Sequence, residues 1–274
     1  KQVLKDYKPD VMMFTGGYVA IPIALAGLKV KTLLFVPDIE PGLALKTLAR
    51  FSDKIAVSVE ESRGFFSKKE KVEVTGYPLR QDLMKWTKAD ALAYFGFSSE
   101  KPVILFTGGS SGARSINKAV LAILSELLKR YQVIHLTGHL DWETVKNATA
   151  NLPQTYQAFP YLHEMGAAYA AADLVISRAG ASVLGEYPFF GLPAILVPYP
   201  YAWRYQKVNA DYLVEREAAI LLEDQYLQTQ LLAQIDNILQ DQARLQHMRR
   251  AMKTLAQPQA AEQIAHLLYE MAEG

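Results

Sequence analysis

Short apolar runs alternate with longer amphipathic stretches from Asp10 onward, and this alternation predicts repeated units of strand and helix. Because a helical crossover returns the chain to the same edge of a sheet, such units build mostly parallel sheets. The sequence therefore predicts an α/β fold. The predicted strands fall near 11–14, 31–36, 54–58 and 71–75, and then near 102–107, 131–136, 155–159, 173–176, 193–197 and 217–220.

The two series of strands indicate two domains, and one irregular α/β domain is the alternative. The glycine and proline of Thr75-Gly76-Tyr77-Pro78 interrupt the pattern between the series, and a helix containing Trp86 and Tyr94 follows. The length of 274 residues also exceeds what one core usually serves. After residue 220 the apolar spacing is helical, and Pro258 introduces a last helix that ends near Met271.

Composition and charge exclude several classes of protein. Half of the residues are hydrophobic and 21% are charged, which is typical of a chain that buries a core. The net charge of +1 gives no general attraction for nucleic acid, and the absence of cysteine excludes disulfides and thiolate metal sites. The five histidines have no metal-ligand spacing, so we expect no metal cofactor. No apolar run reaches the roughly 20 residues that a membrane helix needs.

A glycine-rich turn follows the first strand of the second series. Gly108-Gly109-Ser110-Ser111-Gly112-Ala113-Arg114 lies between that strand and a helix predicted to run to about Lys129. Glycines let the backbone approach a ligand closely, and the N-terminus of the helix offers unpaired N–H groups to an anion. The turn therefore predicts a phosphate site, with an empty βα turn as the alternative. A Walker motif is absent because no Lys-Ser/Thr pair ends the run.

Two further segments follow later strands of the same series. Small residues at 179–182 predict a second helix entrance, with Glu186 about one turn into that helix and able to bind a ribose diol. The alternative is an acid that only favours the helix dipole. Aromatic and cationic residues crowd 199–207, beyond a predicted strand end, where a sugar could stack. An aromatic hinge between domains is the alternative there.

The first series carries a weaker signal of the same kind. Thr15-Gly16-Gly17-Tyr18-Val19 follows its first strand and could hold a pyrophosphate, although a bare turn fits equally well. The apolar run Val19-Ala20-Ile21-Pro22-Ile23 comes next, and it predicts a buried crossover helix or, alternatively, a place of contact with a membrane surface.

Taken together, these runs resemble the MurG-type glycosyltransferases of family 28. The similarity covers most of the chain, and the order and spacing of its motifs make chance unlikely as their source. The matching segments are Gly16-Gly17-Tyr18-Val19, Pro41-Gly42-Leu43, Gly76-Tyr77-Pro78-Leu79-Arg80, 108–114, Thr137-Gly138, 165–173 and Ser177-Arg178-Ala179-Gly180-Ala181-Ser182.

The resemblance implies a GT-B fold, in which two Rossmann-like domains with mostly parallel sheets face each other across a cleft. It implies a partial N-terminal acceptor-side domain at 1–80, a UDP-sugar-binding domain at 81–256, and a final helix at 257–274 that packs back on the first domain. It also implies inverting transfer of N-acetylglucosamine from UDP-N-acetylglucosamine to a lipid-linked acceptor in peptidoglycan precursor synthesis. Such an enzyme works in the cytoplasm, peripherally at the inner face of the bacterial plasma membrane.

The resemblance also carries roles onto individual residues. Ser110 and Ser111 would bind the diphosphate or the sugar, Leu162 would offer its backbone to uracil, and Glu186 would bind the ribose hydroxyls. Gln206 matches a sugar-binding glutamine, whereas Tyr205 stands where another glutamine or a histidine is usual. The full donor-binding set implied is Arg80, Ser110, Ser111, Gly112, Arg114, Leu162, Arg178, Gly180, Ala181, Ser182, Glu186, Tyr205 and Gln206, and the acceptor-side set is Gly16, Gly17, Tyr18 and Asp38.

The sequence departs from the family at three places. The opening Gly-Gly-Thr-Gly-Gly-His loop has no counterpart, so we expect that earlier elements are missing and that the chain alone is inactive. A histidine of that loop is a better candidate for the general base than Asp38, the candidate that this sequence offers. The family's polar acceptor-side stretch is replaced by Phe35-Val36-Pro37-Asp38, so the acceptor could differ from that of the family. A stretch that usually contains histidine is replaced by Tyr201-Ala202-Trp203-Arg204-Tyr205, so the donor sugar could differ as well.

Three alternatives to this function stay open. One is a glycolipid synthase that uses another UDP-sugar. Another is a UDP-N-acetylglucosamine 2-epimerase, which needs no acceptor. The third is a donor-binding half that works only with a partner chain.

Overall fold

The computed structural model describes residues 2–201 and 203–273. Ala202 and the side chain of Trp203 lie outside the described part, so the predicted aromatic run is seen there only in part. The chain divides into two compact units, of which one comprises Lys1–Leu79 with Gln257–Gly274 and the other Arg80–Ala256. The division falls between Leu79 and Arg80, next to the predicted boundary at residue 80.

The described residues form ten β-strands and thirteen α-helices. The strands are β1 (Val11–Phe14), β2 (Lys31–Val36), β3 (Lys54–Val57), β4 (Val72–Val74), β5 (Val103–Thr107), β6 (Gln132–Leu136), β7 (Tyr156–Phe159), β8 (Leu174–Ser177), β9 (Ala194–Leu196) and β10 (Ala219–Leu221). The helices are α1 (Gln2–Tyr7), α2 (Ala20–Ala26), α3 (Leu43–Leu48), α4 (Gln81–Met84), α5 (Lys88–Phe95), α6 (Arg114–Arg130), α7 (Trp142–Ala148), α8 (Met165–Ala171), α9 (Glu186–Phe190), α10 (Trp203–Val214), α11 (Leu227–Leu239), α12 (Gln242–Thr254) and α13 (Ala260–Glu273).

The first unit is a four-stranded parallel sheet in the order β1-β2-β3-β4. Alternate side chains of β2 point to opposite faces, and both faces are buried, as expected for a central parallel strand. Leu34 and Val36 pack into a cluster that includes α2 and α3. Leu33 and Phe35 pack on the other face with residues of α13, including Ile264 and Met271. The last helix thus completes the core of the first unit.

The second unit is a six-stranded parallel sheet in the order β10-β9-β8-β5-β6-β7. From β5 the chain adds strands on one side, and from β8 it adds them on the other, so the order reverses between β5 and β8. In open α/β sheets, ligands bind beyond the carboxyl ends of the strands at such a switch point. The 108–114 turn and the 178–182 segment follow these two strands.

The prediction of an α/β fold with mostly parallel sheets is confirmed, and each strand lies within about two residues of its predicted position. The predicted helix entrance at 179–182 is wrong in detail. Residues Ala181–Leu184 form a 3-10 turn, and Glu186 begins a separate helix instead of lying one turn inside one. Pro188 explains the break, because proline lacks the N–H that would continue a helix from residue 184.

Candidate functional site

A large cavity opens at the carboxyl ends of the strands in the second unit. Its volume is about 1200 Å³, and segments that follow β5, β7, β8, β9 and β10 line it. The switch point between β5 and β8 lies at this edge, so the cavity is where the topology predicts a ligand. It is the candidate functional site.

The glycine-rich turn after β5 is held in direct backbone contact with the turn after β6. Gly112 has a φ of +75°, and a Cβ there would lie 2.1 Å from the carbonyl oxygen of Thr137. Gly138 has a φ of +73°, and its Cβ would lie 2.5 Å from the carbonyl oxygen of Ser111. Both positions therefore require glycine for conformation and for space. The two turns interlock, and this fixes where α6 begins.

Helix α6 presents its N-terminus to the cavity. Ser110, Ser111 and Arg114 line the cavity at this end, and within the described chain no side chain caps the first turn. A helix of 17 residues carries a partial positive charge at its start, together with unpaired N–H groups. This geometry suits an anion such as a diphosphate.

A buried polar chain supports the same end of α6. Asn117 donates through Nδ2 to the Thr137 carbonyl and to Asp141 Oδ2, each over 2.9 Å, and Asp141 also pairs with Arg114. His135 Nε2 lies 3.0 Å from Asn117 Oδ1, which only accepts, so Nε2 carries the proton and Nδ1 accepts from Tyr156. Burial lowers the pKa of His135 to about 3, so the imidazole is neutral. This hydrogen-bond network is therefore structural, and it holds Arg114 in place through Asp141.

Glu186 lines the cavity from the start of α9 and is half-buried. Burial raises the pKa of its carboxyl, while hydrogen bonds from Tyr169 and Ser182 and the charge of Arg80 lower that pKa. The Tyr169 hydroxyl donates to Glu186 Oε2 over 2.7 Å. The net effect of burial is a Glu186 pKa above the ordinary value, and the hydrogen bonds only partly oppose it.

Arg178 forms the centre of a second network. Its Nη1 donates to Asp224 Oδ1 over 2.5 Å and to the Val197 carbonyl over 3.1 Å, and its Nη2 donates to Ser115 Oγ over 2.8 Å. Ser115 in turn donates to Asp224 over 2.7 Å. The guanidinium also stacks on the ring of Tyr199, with 5.3 Å between its carbon and the ring centre. One side chain thus joins the segments that follow β5, β8, β9 and β10.

The segment after β9 brings aromatic and amide groups to the cavity. The Tyr199 backbone N–H donates to Gln206 Oε1 over 2.9 Å, so the Gln206 amide NH₂ is the part left for a ligand. Tyr199 and Tyr201 line the cavity, and their ring centres are 5.5 Å apart. The buried Asn209 donates to the Ala179 carbonyl over 3.1 Å and so ties α10 to the segment after β8.

Most of the donor-binding residues predicted for the second unit come together at this cavity. Arg80, Ala181 and Tyr205 do not line it within the described part of the chain, although the charge of Arg80 acts on Glu186. The residues that line it are Ser110, Ser111, Gly112, Arg114, Leu162, Arg178, Gly180, Ser182, Glu186 and Gln206.

The predicted acceptor-side residues belong to the first unit. Gly16, Gly17 and Tyr18 follow β1, and Asp38 follows the neighbouring parallel strand β2, so all four lie at one edge of that sheet. Gly16 and Gly17 have φ angles of +127° and +87°, which favour glycine. Tyr18 is exposed, and Asp38 is half-buried.

Sequence reasoning missed residues whose partners are remote in the chain. Tyr169 binds an acid 17 positions away, and Ser115 and Asp224 meet across 109 positions. The sequence does show Tyr169 within the matched segment 165–173 and Asp224 after the last predicted strand. Neither signal names its partner.

Comparison with known proteins identifies one family. Residues 103–264 match the model of the glycosyltransferase family 28 C-terminal domain. The UDP-N-acetylglucosamine--N-acetylmuramyl-(pentapeptide) pyrophosphoryl-undecaprenol N-acetylglucosamine transferase of Halalkalibacterium halodurans is 38% identical over 280 residues, which cover 100% of this chain and 77% of that protein. The transferase of the same name from Listeria welshimeri is 39% identical over 271 residues, covering 96% of this chain and 74% of that protein.

Solved structures agree on the fold. The crystal structure of Acinetobacter baumannii MurG has a TM-score of 0.76 and 26% identity, covering 98% of this chain and 76% of that one. A putative UDP-N-acetylglucosamine 2-epimerase from Listeria monocytogenes has a TM-score of 0.73 at 13% identity, covering 96% of this chain and 75% of that one. At that identity the likeness to the epimerase shows a shared fold alone.

Proposed function

The chain belongs to glycosyltransferase family 28, and from this premise we propose that it transfers N-acetylglucosamine from UDP-N-acetylglucosamine to an N-acetylmuramyl-(pentapeptide) pyrophosphoryl-undecaprenol acceptor. The observation that carries the proposal is the identity of 38–40% with seven transferases of this name along almost the whole chain. The cavity adds the groups that a UDP-sugar donor requires. The likeness to the 2-epimerase of Listeria monocytogenes, at 13% identity, is one of fold alone.

The cavity offers a separate group for each part of a UDP-sugar. The first turn of α6 and the hydroxyls of Ser110 and Ser111 face the diphosphate, and Glu186 accepts from the ribose hydroxyls. Leu162 offers its backbone to the uracil. The Gln206 amide NH₂ donates to an oxygen of the sugar, because its Oε1 already accepts from Tyr199.

The reaction we propose is a direct displacement with inversion. A deprotonated acceptor hydroxyl attacks the anomeric carbon, the bond to the diphosphate oxygen breaks, and UDP leaves with the bonding electron pair. Charge then grows on the diphosphate, where the α6 N-terminus and Arg114 stabilise it without a metal ion. Asp38 of the first unit is the candidate base within this sequence. The general base takes the proton of the acceptor hydroxyl.

We place the enzyme at the inner face of the bacterial plasma membrane, as a peripheral protein. None of the described helices combines the length and the apolar character needed to cross a bilayer. Helix α2 buries Ala20 and Ala24 but leaves Val19 80%, Ile23 45% and Leu25 48% exposed. One face of α2 therefore packs on the sheet, as expected for a crossover helix, and the other face is apolar and open. That open face fits the acyl boundary of a membrane.

Calorimetric titration tests the donor half of the proposal. We expect the chain to bind UDP-N-acetylglucosamine more tightly than UDP-galactose, and Glu186→Ala to weaken the binding of both these ligands and UDP. Glu126→Ala is the matched control, because Glu126 pairs with Lys129 at the exposed far end of α6. Absence of binding to all three ligands by the wild-type chain would refute the donor assignment. Transfer of the sugar to a lipid-linked acceptor, with release of UDP, separates a complete enzyme from a donor-binding half.

A further inference from the structure

Tyr169 is a buried side chain on α8 to which no role in the donor site has been given so far. We propose that Tyr169 is a positioning residue for nucleotide recognition, whose hydroxyl holds the Glu186 carboxylate in place for the two hydroxyls of the ribose. The inference rests on the proposed function, since it assumes that Glu186 receives a ribose.

The contact between the two side chains is specific. The Tyr169 hydroxyl donates to Glu186 Oε2 over 2.7 Å, which is the length of a strong bond to a charged oxygen. The Tyr169 ring is wedged against two other rings, with centres 5.7 Å from Tyr187 and 5.6 Å from Phe190. Packing therefore fixes the ring and with it the position of the hydroxyl oxygen.

The hydrogen bond from Tyr169 matters because of the chemistry of the Glu186 carboxyl group. An ionised carboxylate only accepts and has about four lone-pair positions, so one bond at Oε2 leaves room for two ribose hydroxyls. A protonated carboxyl would lose acceptor capacity and gain a donor. Burial raises the pKa of Glu186, and hydrogen bonds from neutral donors oppose that shift and so favour the ionised form. Tyr169 is the first of the two donors that do so, and Ser182 is the second.

The surroundings of Glu186 contain few other charges that could do this work. Arg80 acts on it electrostatically but is itself more than half exposed and pairs with Asp82 over 3.5 Å. Lys253 of α12 binds the Phe189 carbonyl at the other end of α9. The neighbouring Tyr187 hydroxyl donates to Ser177 over 2.8 Å. Among the described groups that face Glu186, Tyr169 and Ser182 thus provide the hydrogen bonds and Arg80 acts as a remote charge.

Ligand chemistry tests the proposal directly. UDP and 2′,3′-dideoxy-UDP are titrated into the wild type, Tyr169→Phe and Tyr187→Phe, each checked by thermal melting. We expect Tyr169→Phe to bind UDP roughly tenfold more weakly, as for loss of one hydrogen bond to a charged group, and to bind the dideoxy ligand like the wild type. Tyr187→Phe removes a buried hydroxyl from an adjacent ring without touching Glu186. It should keep the wild-type ratio of the two affinities.

The pH dependence gives a second readout, one that a purely structural role would not move. UDP affinity falls as the pH drops and Glu186 takes up a proton. Tyr169→Phe removes a bond that favours the ionised form, which raises the pKa of Glu186, so the fall should begin at a higher pH than in the wild type. In the background of Glu186→Gln, Tyr169→Phe should have little further effect on either measurement.

The possible outcomes distinguish the role of Tyr169 from the proposed function of the site. Equal weakening of UDP and dideoxy-UDP by Tyr169→Phe, with an unmoved pH profile, would overturn the positioning role while leaving the donor site intact. Equal affinity of the wild type for the two ligands would instead remove Glu186 from the ribose, and the inference would fall with it. A wild type that binds neither ligand would contradict the proposed function itself.

Discussion

Two glycines of the same turn offer a sharp test of how the donor site is built. Gly109 and Gly112 both have left-handed backbones, with φ of +79° and +75°. They differ in their surroundings. A Cβ at Gly109 would meet no described atom within 4 Å, whereas a Cβ at Gly112 would lie 2.1 Å from the Thr137 carbonyl oxygen.

The expected magnitudes follow from this difference. Each Gly→Ala change places an alanine in the left-handed region at a cost of about 1–2 kcal/mol. Gly112→Ala must in addition push two backbone turns apart by about 1 Å, and overpacking of this kind costs roughly a further 1–3 kcal/mol. A shift of about 1 Å in a binding site can also lower its activity about a hundredfold.

Scanning calorimetry and UDP titration measure both effects. Relative to Gly109→Ala, we expect Gly112→Ala to lower the melting temperature of the second unit by roughly a further 2–12 °C, at about 2–4 °C per kcal/mol for a unit of this size. Its UDP affinity should fall by at least tenfold. Equal melting temperatures for the two variants would show that backbone conformation alone matters. That result would refute the interlocking of the two turns.

Two other predictions concern the second network and the surface. Asp224→Ala leaves the Arg178 guanidinium, 12% exposed, without its carboxylate, and should lower the free energy of unfolding by about 2–3 kcal/mol in a thermal melt. Asp211→Ala is the control, because it removes only an exposed i,i+4 pair with Lys207, and it should lower that free energy by less than about 0.5 kcal/mol. If Asp224→Ala destabilises the protein no more than Asp211→Ala does, the network around Arg178 does not stabilise the fold. Ile23→Ser combined with Leu25→Ser should reduce co-sedimentation with phosphatidylglycerol vesicles several-fold at unchanged UDP affinity, and undiminished sedimentation would exclude the α2 face as the membrane contact.

The strands and the phosphate turn could be predicted from the sequence because their signals are local. Apolar runs such as 103–107 are fully buried central strands, and glycines such as Gly112 mark backbone that other residues cannot adopt. The division of labour among the charged residues could not be predicted. Arg178, a predicted donor-binding residue, lines the cavity, but its contacts with five protein groups could not be predicted, because Asp224 lies 46 positions away.

Glu186 shows where local and remote information meet. Its position in the cavity follows from its place after β8, but its pKa depends on burial and on Tyr169 and Ser182, which only the folded chain brings to it. The helix boundary was also missed, because the expected helix ran through Pro188. The sequence pattern thus predicts where the site lies, whereas the tertiary contacts determine the partners of each side chain in it.

The position of α13 has a consequence for synthesis on the ribosome. This helix follows the whole second unit in the sequence, yet Ile264 and Met271 cover Leu33 and Phe35 in the first unit. All residues of the second unit have therefore been translated before the first unit can close its sheet. One apolar face of that sheet stays bare while about 180 intervening residues are made, which at roughly 5–20 residues per second lasts about 10–40 seconds. The first domain to emerge is thus the last to be completed, and a nascent-chain chaperone would find its target on the β2 face during that interval.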